Sequence, residues 1–265
     1  MTVAQDCIPA KTADKVKGGI AMITKIVGMV AAVLMLAASA GNAEEPRGWK
    51  GEITPYAWLA GVSGDLTVDG HTVDFKKSFS DLFDYVELGG SLLGVAQYDR
   101  YLAWAQVDYF SLSTSELDAD QQPQHGRLDS KMFLGEYAVG YQVDGWAPGQ
   151  TFDLMVGARS LSVENELEIY GVGTFSKTKR VLDPMLVVRP KFPLSSKLDF
   201  NPTLGIGGGG DSDLIWELQP QFQYRFTDTI AARFGYRTIH YKFSKDSNEM
   251  NIDLSGLIVG VGVMF

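Results

Sequence analysis

Thirteen consecutive residues, Leu214 to Phe226, alternate in character without a break. Leu214, Trp216, Leu218, Pro220, Phe222, Tyr224 and Phe226 share one face of an extended chain; Ile215, Glu217, Gln219, Gln221, Gln223 and Arg225 share the other. Period two over that distance predicts a strand with one apolar and one largely polar side. Soluble strands run about 5 to 6 residues, whereas a tilted strand needs about 9 to 11 to cross a bilayer. The length therefore points to a wall with lipid on its apolar face. Arg180 to Phe192 repeats the pattern, with Leu182, Pro184, Leu186, Val188, Pro190 and Phe192 opposite Asp183, Arg189 and Lys191. Proline cannot donate to a strand ladder, so Pro184 and Pro190 are expected to mark bulges or missing inter-strand bonds.

Similar runs at 51–62, 87–99, 101–113, 130–143, 151–164, 197–207, 229–242 and 250–265 bring the total to ten. The last has Leu257, Val259, Val261 and Val263 on one face and stops on Phe265. Connections alternate between short (Asp99-Arg100, 144–150, 193–196, Thr227-Asp228) and long (63–86, 114–129, 165–179). That asymmetry suits short periplasmic turns and longer outside loops. The expected fold is all-β: an antiparallel up-and-down transmembrane β-barrel of about ten strands, with eight or twelve as alternatives. The stretch 64–75, centred on Asp69-Gly70, could add a hairpin to the wall or stand outside the membrane. Phe79, Leu82, Phe83 and Val86 have helical spacing behind Ser78 or Ser80 as caps, which predicts a short amphipathic helix in the first long loop. That helix either packs on its own loop or folds inward as a partial plug. Tyr56, Trp58, Tyr98, Tyr101, Trp104, Tyr137, Tyr141, Trp146, Tyr236 and Tyr241 lie near strand ends, where they could form interfacial girdles; aromatic residues also simply favour strands.

The start of the chain agrees with export. Lys15, Lys17 and Lys25 precede an uncharged apolar run, Ile26 to Ala38, and small residues follow to Ala43. This is the tripartite pattern of a signal peptide, over residues 1–43, with cleavage after Ala43; Met22 is an alternative start. The run is too short for a spanning helix. The barrel would then occupy 44–265. Cys7, the single cysteine, lies in the removed part, so the mature chain has no disulfide framework and no thiolate site. Removal leaves 19 basic against 30 acidic residues, a net of −11, which argues against nucleic-acid binding.

These residues resemble a family, the small Gram-negative outer-membrane β-barrel proteins of the OmpA-like and OmpW-like class, over nearly all of the mature chain. The resemblance rests on Pro55 to Gly61, Ser78 to Leu82, Asp108-Tyr109, Val156 to Arg159, Asp183-Pro184, Gly235 to Arg237 and the final Phe265. It implies insertion by the barrel-assembly machinery, with Gly260, Val263 and Phe265 in the terminal assembly signal. Gly260 matches the family's glycine five residues before the last aromatic, while Ile258 stands where the family has a polar residue. The surroundings so implied are outer-membrane lipids and lipopolysaccharide, with a monomer favoured. One barrel architecture hosts pores, enzymes and adhesins, so no activity follows.

Three groups of residues could carry chemistry. Gly205 to Gly210 satisfies G-x-G-x-x-G, but a strand rather than a helix follows, so it reads as a flexible turn. His71, His125 and His240 are the histidines, and parity sets His240 on the lipid side near the outer rim. It could serve a lipid hydrolase only with a serine and a carboxylate beside it. No metal-ligand spacing occurs, and no cofactor is expected. Parity directs Asp108, Glu136, Asp153, Arg159, Asp183, Arg189, Lys191, Glu217, Arg225, Arg233 and Arg237 into the lumen. Ions in so narrow a tube must pair, because desolvation costs several kcal/mol per ion, in a barrel little wider than the eight-stranded kind that its side chains fill. The lumen is thus either a closed, salt-bridged core or a narrow pore for small solutes. The functional expectation is a non-enzymatic integral outer-membrane barrel, structural or porin-like. The alternatives are a hydrolase acting on lipid A or phospholipid, and a binding or adhesion protein working through its long loops.

Overall fold

The computed structural model describes residues 48–68, 70–114, 126–169, 173–245 and 248–265. The proposed signal peptide, its cleavage point, Met22, Cys7 and His125 lie outside the described residues. The chain forms β1 (Trp49–Val68), β2 (His71–Lys77), α1 (Phe79–Phe83), β3 (Val86–Tyr98), β4 (Tyr101–Thr114), β5 (Gly126–Asp144), β6 (Thr151–Ile169) and β7 (Gly173–Pro193). It continues with β8 (Leu198–Phe200), β9 (Thr203–Gly207), β10 (Leu214–Gln219), β11 (Gln221–Arg225), β12 (Ile230–Lys245) and β13 (Asn248–Met264).

Every pairing is antiparallel, and the sheet closes on itself through β1 and β13, where Tyr56 faces Gly260. The pairs β8/β9 and β10/β11 are each one wall strand, broken at Asn201-Pro202 and at Pro220. The ring therefore has ten wall strands, and β2 pairs with β1 alone, along Val62–Val68, whose other edge still pairs with β13 as far as Thr67.

Pro184 and Pro190 make no bulge. β7 runs through both without a register shift against β6. In an antiparallel strand the N–H and C=O of one residue point to the same neighbour, and the Pro184 carbonyl accepts from Gly208 N at 3.2 Å. Its missing N–H thus aims past the end of β9, whose pairing stops at Gly207. Six residues on, Pro190 aims the same way, into the break between β8 and β9. Both prolines sit where the neighbouring wall strand offers no regular partner.

The long connections are mostly strand. β6 continues to Ile169 and β7 begins at Gly173, so 165–179 is a tall hairpin rather than a loop; β1 and β2 likewise absorb 63–68 and 71–77. There both faces are largely exposed, so alternation vanishes while the ladder persists. The ring is uneven in height, since β9 stops at Gly207 and β10 starts at Leu214 while β7 reaches up to Gly173. The helix expected after Ser78 is present but only five residues long, closed by a reciprocal bond in which the Ser78 amide donates to Asp81 Oδ2 (2.8 Å) and Asp81 N donates to Ser78 Oγ (3.3 Å).

Leu182, Leu186, Val156, Leu257 and Val259 face outward and are more than half exposed. The stretch from Leu182 to Phe192, at about 3.3 Å per residue and a tilt of about 40°, rises about 25 Å, the height of an outer-membrane apolar band. At the end carrying the short turns, aromatic rings follow one another around the outside: Trp146, Phe152, Phe192, Phe200, Phe222 and Phe234, with successive centroids 5.0 to 6.2 Å apart. Trp49–Tyr98 and Tyr101–Tyr141 extend that girdle. Four of the ring positions expected there are elsewhere. Tyr56, Trp58, Trp104 and Tyr241 point inward and are buried, because their parity on β1, β4 and β12 is that of Thr54, Gln106 and Arg237.

Candidate functional site: the lumen

The lumen has three levels. Nearest the loop end, Trp58, Leu134, Leu161, Val181, Ile215, Ile239, Tyr241 and Leu254 pack into an apolar core. Val62, Met132, Val163, Phe243 and Ile252 cover it toward that mouth, with Tyr241 stacked on Phe243 at 5.9 Å.

The middle level is a polar network. Arg237 of β12 donates from Nη1 to Asp108 Oδ2 of β4 (2.6 Å) and from Nε to Glu217 Oε1 of β10 (2.9 Å). Arg159 of β6 pairs through Nη2 with both Glu136 and Glu217. The Tyr56 hydroxyl donates to Asp108 Oδ1 and accepts from Gln106 Nε2, each at 2.7 Å. Gln106 Nε2 also reaches Gln219 Oε1 at 3.2 Å. Gln106 is on β4 and Gln219 on β10, five wall strands apart in a ring of ten, so this bond crosses the full diameter. The Arg237 guanidinium lies over the Trp58 ring at 4.7 Å, joining this level to the apolar one. Asp108, Glu136, Arg159, Glu217 and Arg237 are all buried. The free volume beside Tyr56, Gln106 and Gln219 is about 10 Å³, room for one water at most.

Toward the turn end the lumen widens into a cavity of about 400 Å³. Arg233 grips Glu52 through Nε and Nη2, both at 2.6 Å, and Thr54 donates to the same carboxylate. Arg189 lies over Trp104 with its nearest carboxylate, Asp153, 4.0 Å away. Asp153 accepts from Gln142 Nε2 at 2.8 Å. At the rim, Lys191 and Arg225 flank the buried Asp199 at 3.5 and 3.0 Å.

All eleven ionisable residues assigned to the lumen by parity face it. They do not form one cluster. Asp108, Glu136, Arg159, Glu217 and Arg237 meet in the middle; Asp153, Arg189, Lys191, Arg225 and Arg233 surround the lower cavity. Asp183 stands apart, holding the 208–213 connection through Gly210 N (3.0 Å), Ser212 N (3.0 Å) and Ser212 Oγ (2.8 Å). That connection is a turn, with Gly208 and Gly209 at φ 127° and 82°. Sequence reasoning missed Glu52, Tyr56, Gln106, Gln219 and Asp199. Period two on β1 would have exposed the first two, since Glu52, Thr54, Tyr56 and Trp58 share one face.

On the outer wall, His240 Nδ1 lies 2.8 Å from Asp253 Oδ1 and the His240 ring stacks on Trp216 at 5.5 Å. The nearby Ser255 hydroxyl bonds instead to Thr238 at 2.7 Å. Of the two partners a hydrolase would need, His240 has the carboxylate bond. Among the described residues no group of His, Asp and Glu is arranged to hold a metal ion.

No protein-family model matches the chain, and no curated protein sequence matches it. Solved structures do. The outer-membrane protease OmpT of Escherichia coli superposes with a TM-score of 0.51 at 8% identity, over 83% of this chain and 98% of that one. The translocator domain of the autotransporter NalP of Neisseria meningitidis gives 0.40 at 12% identity, over 91% and 97%. Ail, the attachment invasion locus protein of Yersinia pestis, gives 0.37 at 8% identity, over 83% and 100%. At such identities the likeness concerns the fold: this chain has the fold of an outer-membrane β-barrel.

Proposed function

We propose that the protein is a non-enzymatic barrel of the Gram-negative outer membrane whose lumen is closed, so that it serves as a fixed wall element and not as a through-pore. The reading sets the short turns and Phe265 on the periplasmic side and the tall hairpins outside. Its N-terminal 43 residues would be a signal peptide removed on export, its surroundings outer-membrane lipid and lipopolysaccharide, and its assembly signal Gly260, Val263 and Phe265, read by the barrel-assembly machinery. The observation that carries closure is the diametric Gln106–Gln219 bond, set on the turn side of the Arg237 network, with the apolar core above both.

Planar-bilayer recording tests it directly. The refolded mature chain, shown folded by heat-modifiable gel mobility, is expected to give no unitary channels at any voltage; steps in current would reject closure. The lipid-hydrolase alternative retains the His240–Asp253 bond in its favour. Release of fatty acid from phospholipid or lipid A by the refolded chain, abolished in His240→Phe, would establish it over the reading adopted here.

A further inference from the structure

Closure in the middle turns the lower cavity into a vestibule with one mouth, and its floor has an unusual composition. Arg189 of β7 and Arg233 of β12 enter it from wall strands three apart. Both side chains are more than nine-tenths buried, and the Nη1 of each has no hydrogen-bond partner. The two floor carboxylates are already committed. Glu52 accepts three bonds from Arg233 and Thr54, and Asp153 accepts from Gln142 while staying 4.0 Å from Arg189.

A buried guanidinium left without an acceptor is costly, and Arg189, which lines the cavity and makes no hydrogen bond to another described residue, defines what would relieve it. The occupant must supply at least two acceptor oxygens with negative charge, the geometry that matches arginine forks. The floor carries two guanidinium groups and two carboxylates, so its selectivity comes from the unfilled donors of Arg189 and not from net charge. A cavity of about 400 Å³ lies within the usual range for a small-molecule site and excludes a macromolecule. Lys191 and Arg225 at the rim give an approaching anion further positive charge, offset in part by Asp199 between them.

We infer that this vestibule is a binding site, open to the periplasm, for a small oxyanion: a solute bearing a carboxylate or phosphate group, clamped between Arg189 and Arg233. Nothing passes through; the solute enters and leaves by the same mouth. The single mouth rests on the closure and orientation proposed above, while anion binding at the lower level is tested apart from conduction, which bilayer recording decides.

Isothermal titration of the refolded mature chain in zwitterionic micelles provides the test, with citrate and inorganic phosphate as probes and chloride as control. Saturable binding of citrate or phosphate at a Kd of about 1 mM or tighter is expected, and whichever probe binds more tightly identifies the group preferred. Arg189→Gln is expected to weaken it at least about tenfold, and Lys191→Gln, at the more exposed rim, only a few fold. Should Arg189→Gln not fold, Arg189→Lys keeps the charge while removing the fork, and is expected to weaken binding severalfold. Heats of dilution alone for both probes with folded wild-type chain would overturn the inference and leave a water-filled vestibule. Undiminished binding in a folded Arg189 variant would overturn it equally.

Discussion

Tyr56 of β1 stands directly across the closing seam from Gly260 of β13, and a Cβ built on that glycine would lie 2.6 Å from the Tyr56 Cβ and 2.8 Å from the Pro55 carbonyl oxygen. The missing side chain is what gives the tyrosine room to lean across the lumen toward Asp108 and Gln106. Gly260→Val is therefore expected to displace the ring and lower stability by about 1–3 kcal/mol, as overpacking usually does, read from the urea midpoint of refolding into micelles. That assay contains no assembly machinery. If the variant refolds like wild type yet fails to assemble in cells, Gly260 is a recognition element and not a packing one.

Removing one member of the middle network strands the others. In Arg237→Met, Asp108 loses its one guanidinium partner while Glu217 keeps Arg159, and breaking a buried pair from one side costs about 3–5 kcal/mol. The guanidinium midpoint should fall accordingly. Adding Asp108→Asn removes one stranded charge and should recover part of the loss, so the two changes are expected to be non-additive.

The 208–213 turn depends on Asp183 for three donors. Asp183→Ala leaves those groups, two of them backbone N–H, without their acceptor and is expected to cost about 1–3 kcal/mol. The sharper readout is local. Amide exchange at Gly210 and Ser212 should accelerate by orders of magnitude while wall amides keep their protection.

The reciprocal cap on α1 has a definite pH dependence. Bonds from the Ser78 side chain and then its backbone N–H hold Asp81 below the ordinary aspartate value of 3.8. A depressed pKa means the cap's stabilisation is complete above that ordinary value and is lost as pH falls through the lower folded one. Acidification from pH 5 toward about pH 2, followed by amide chemical shifts of Ser78 and Asp81, should show α1 fraying while the barrel stays folded. Ser78→Ala should fray it at neutral pH.

Much of the wall was legible because its strands contrast strictly between an apolar outer and a polar inner face. The run around Trp216 and the sequence between Leu182 and Phe192 place each residue inside or outside by parity alone. Parity gives a face, however, and neither a height nor a bearing around the ring. Gln106 and Gln219 are 113 residues apart, and only closure and register bring them together. The aromatic residues Tyr56, Trp58 and Trp104 misled for a related reason. An aromatic ring with a polar edge suits both an interface and a polar lumen, so residue type cannot choose between them. The tall hairpin of β6 and β7 was hidden by a different cause. Once both faces meet water, Glu164 to Glu168 and Ser176 to Arg180 no longer alternate, and a ladder held by backbone bonds leaves no mark on side-chain hydropathy.

The uneven height of the ring has a consequence for life among neighbours. Above Leu182, whose amide is taken by the Asp211 carboxylate at 2.9 Å, no described strand pairs with the second edge of β7. Bare edges of this kind recruit strands from other chains and seed aggregates. On this one stand Lys177, Lys179 and Arg180. Where copies meet edge to edge, such a fringe of like charge is expected to oppose their zipping together. Replacing it with valine would leave the barrel intact and make it sticky.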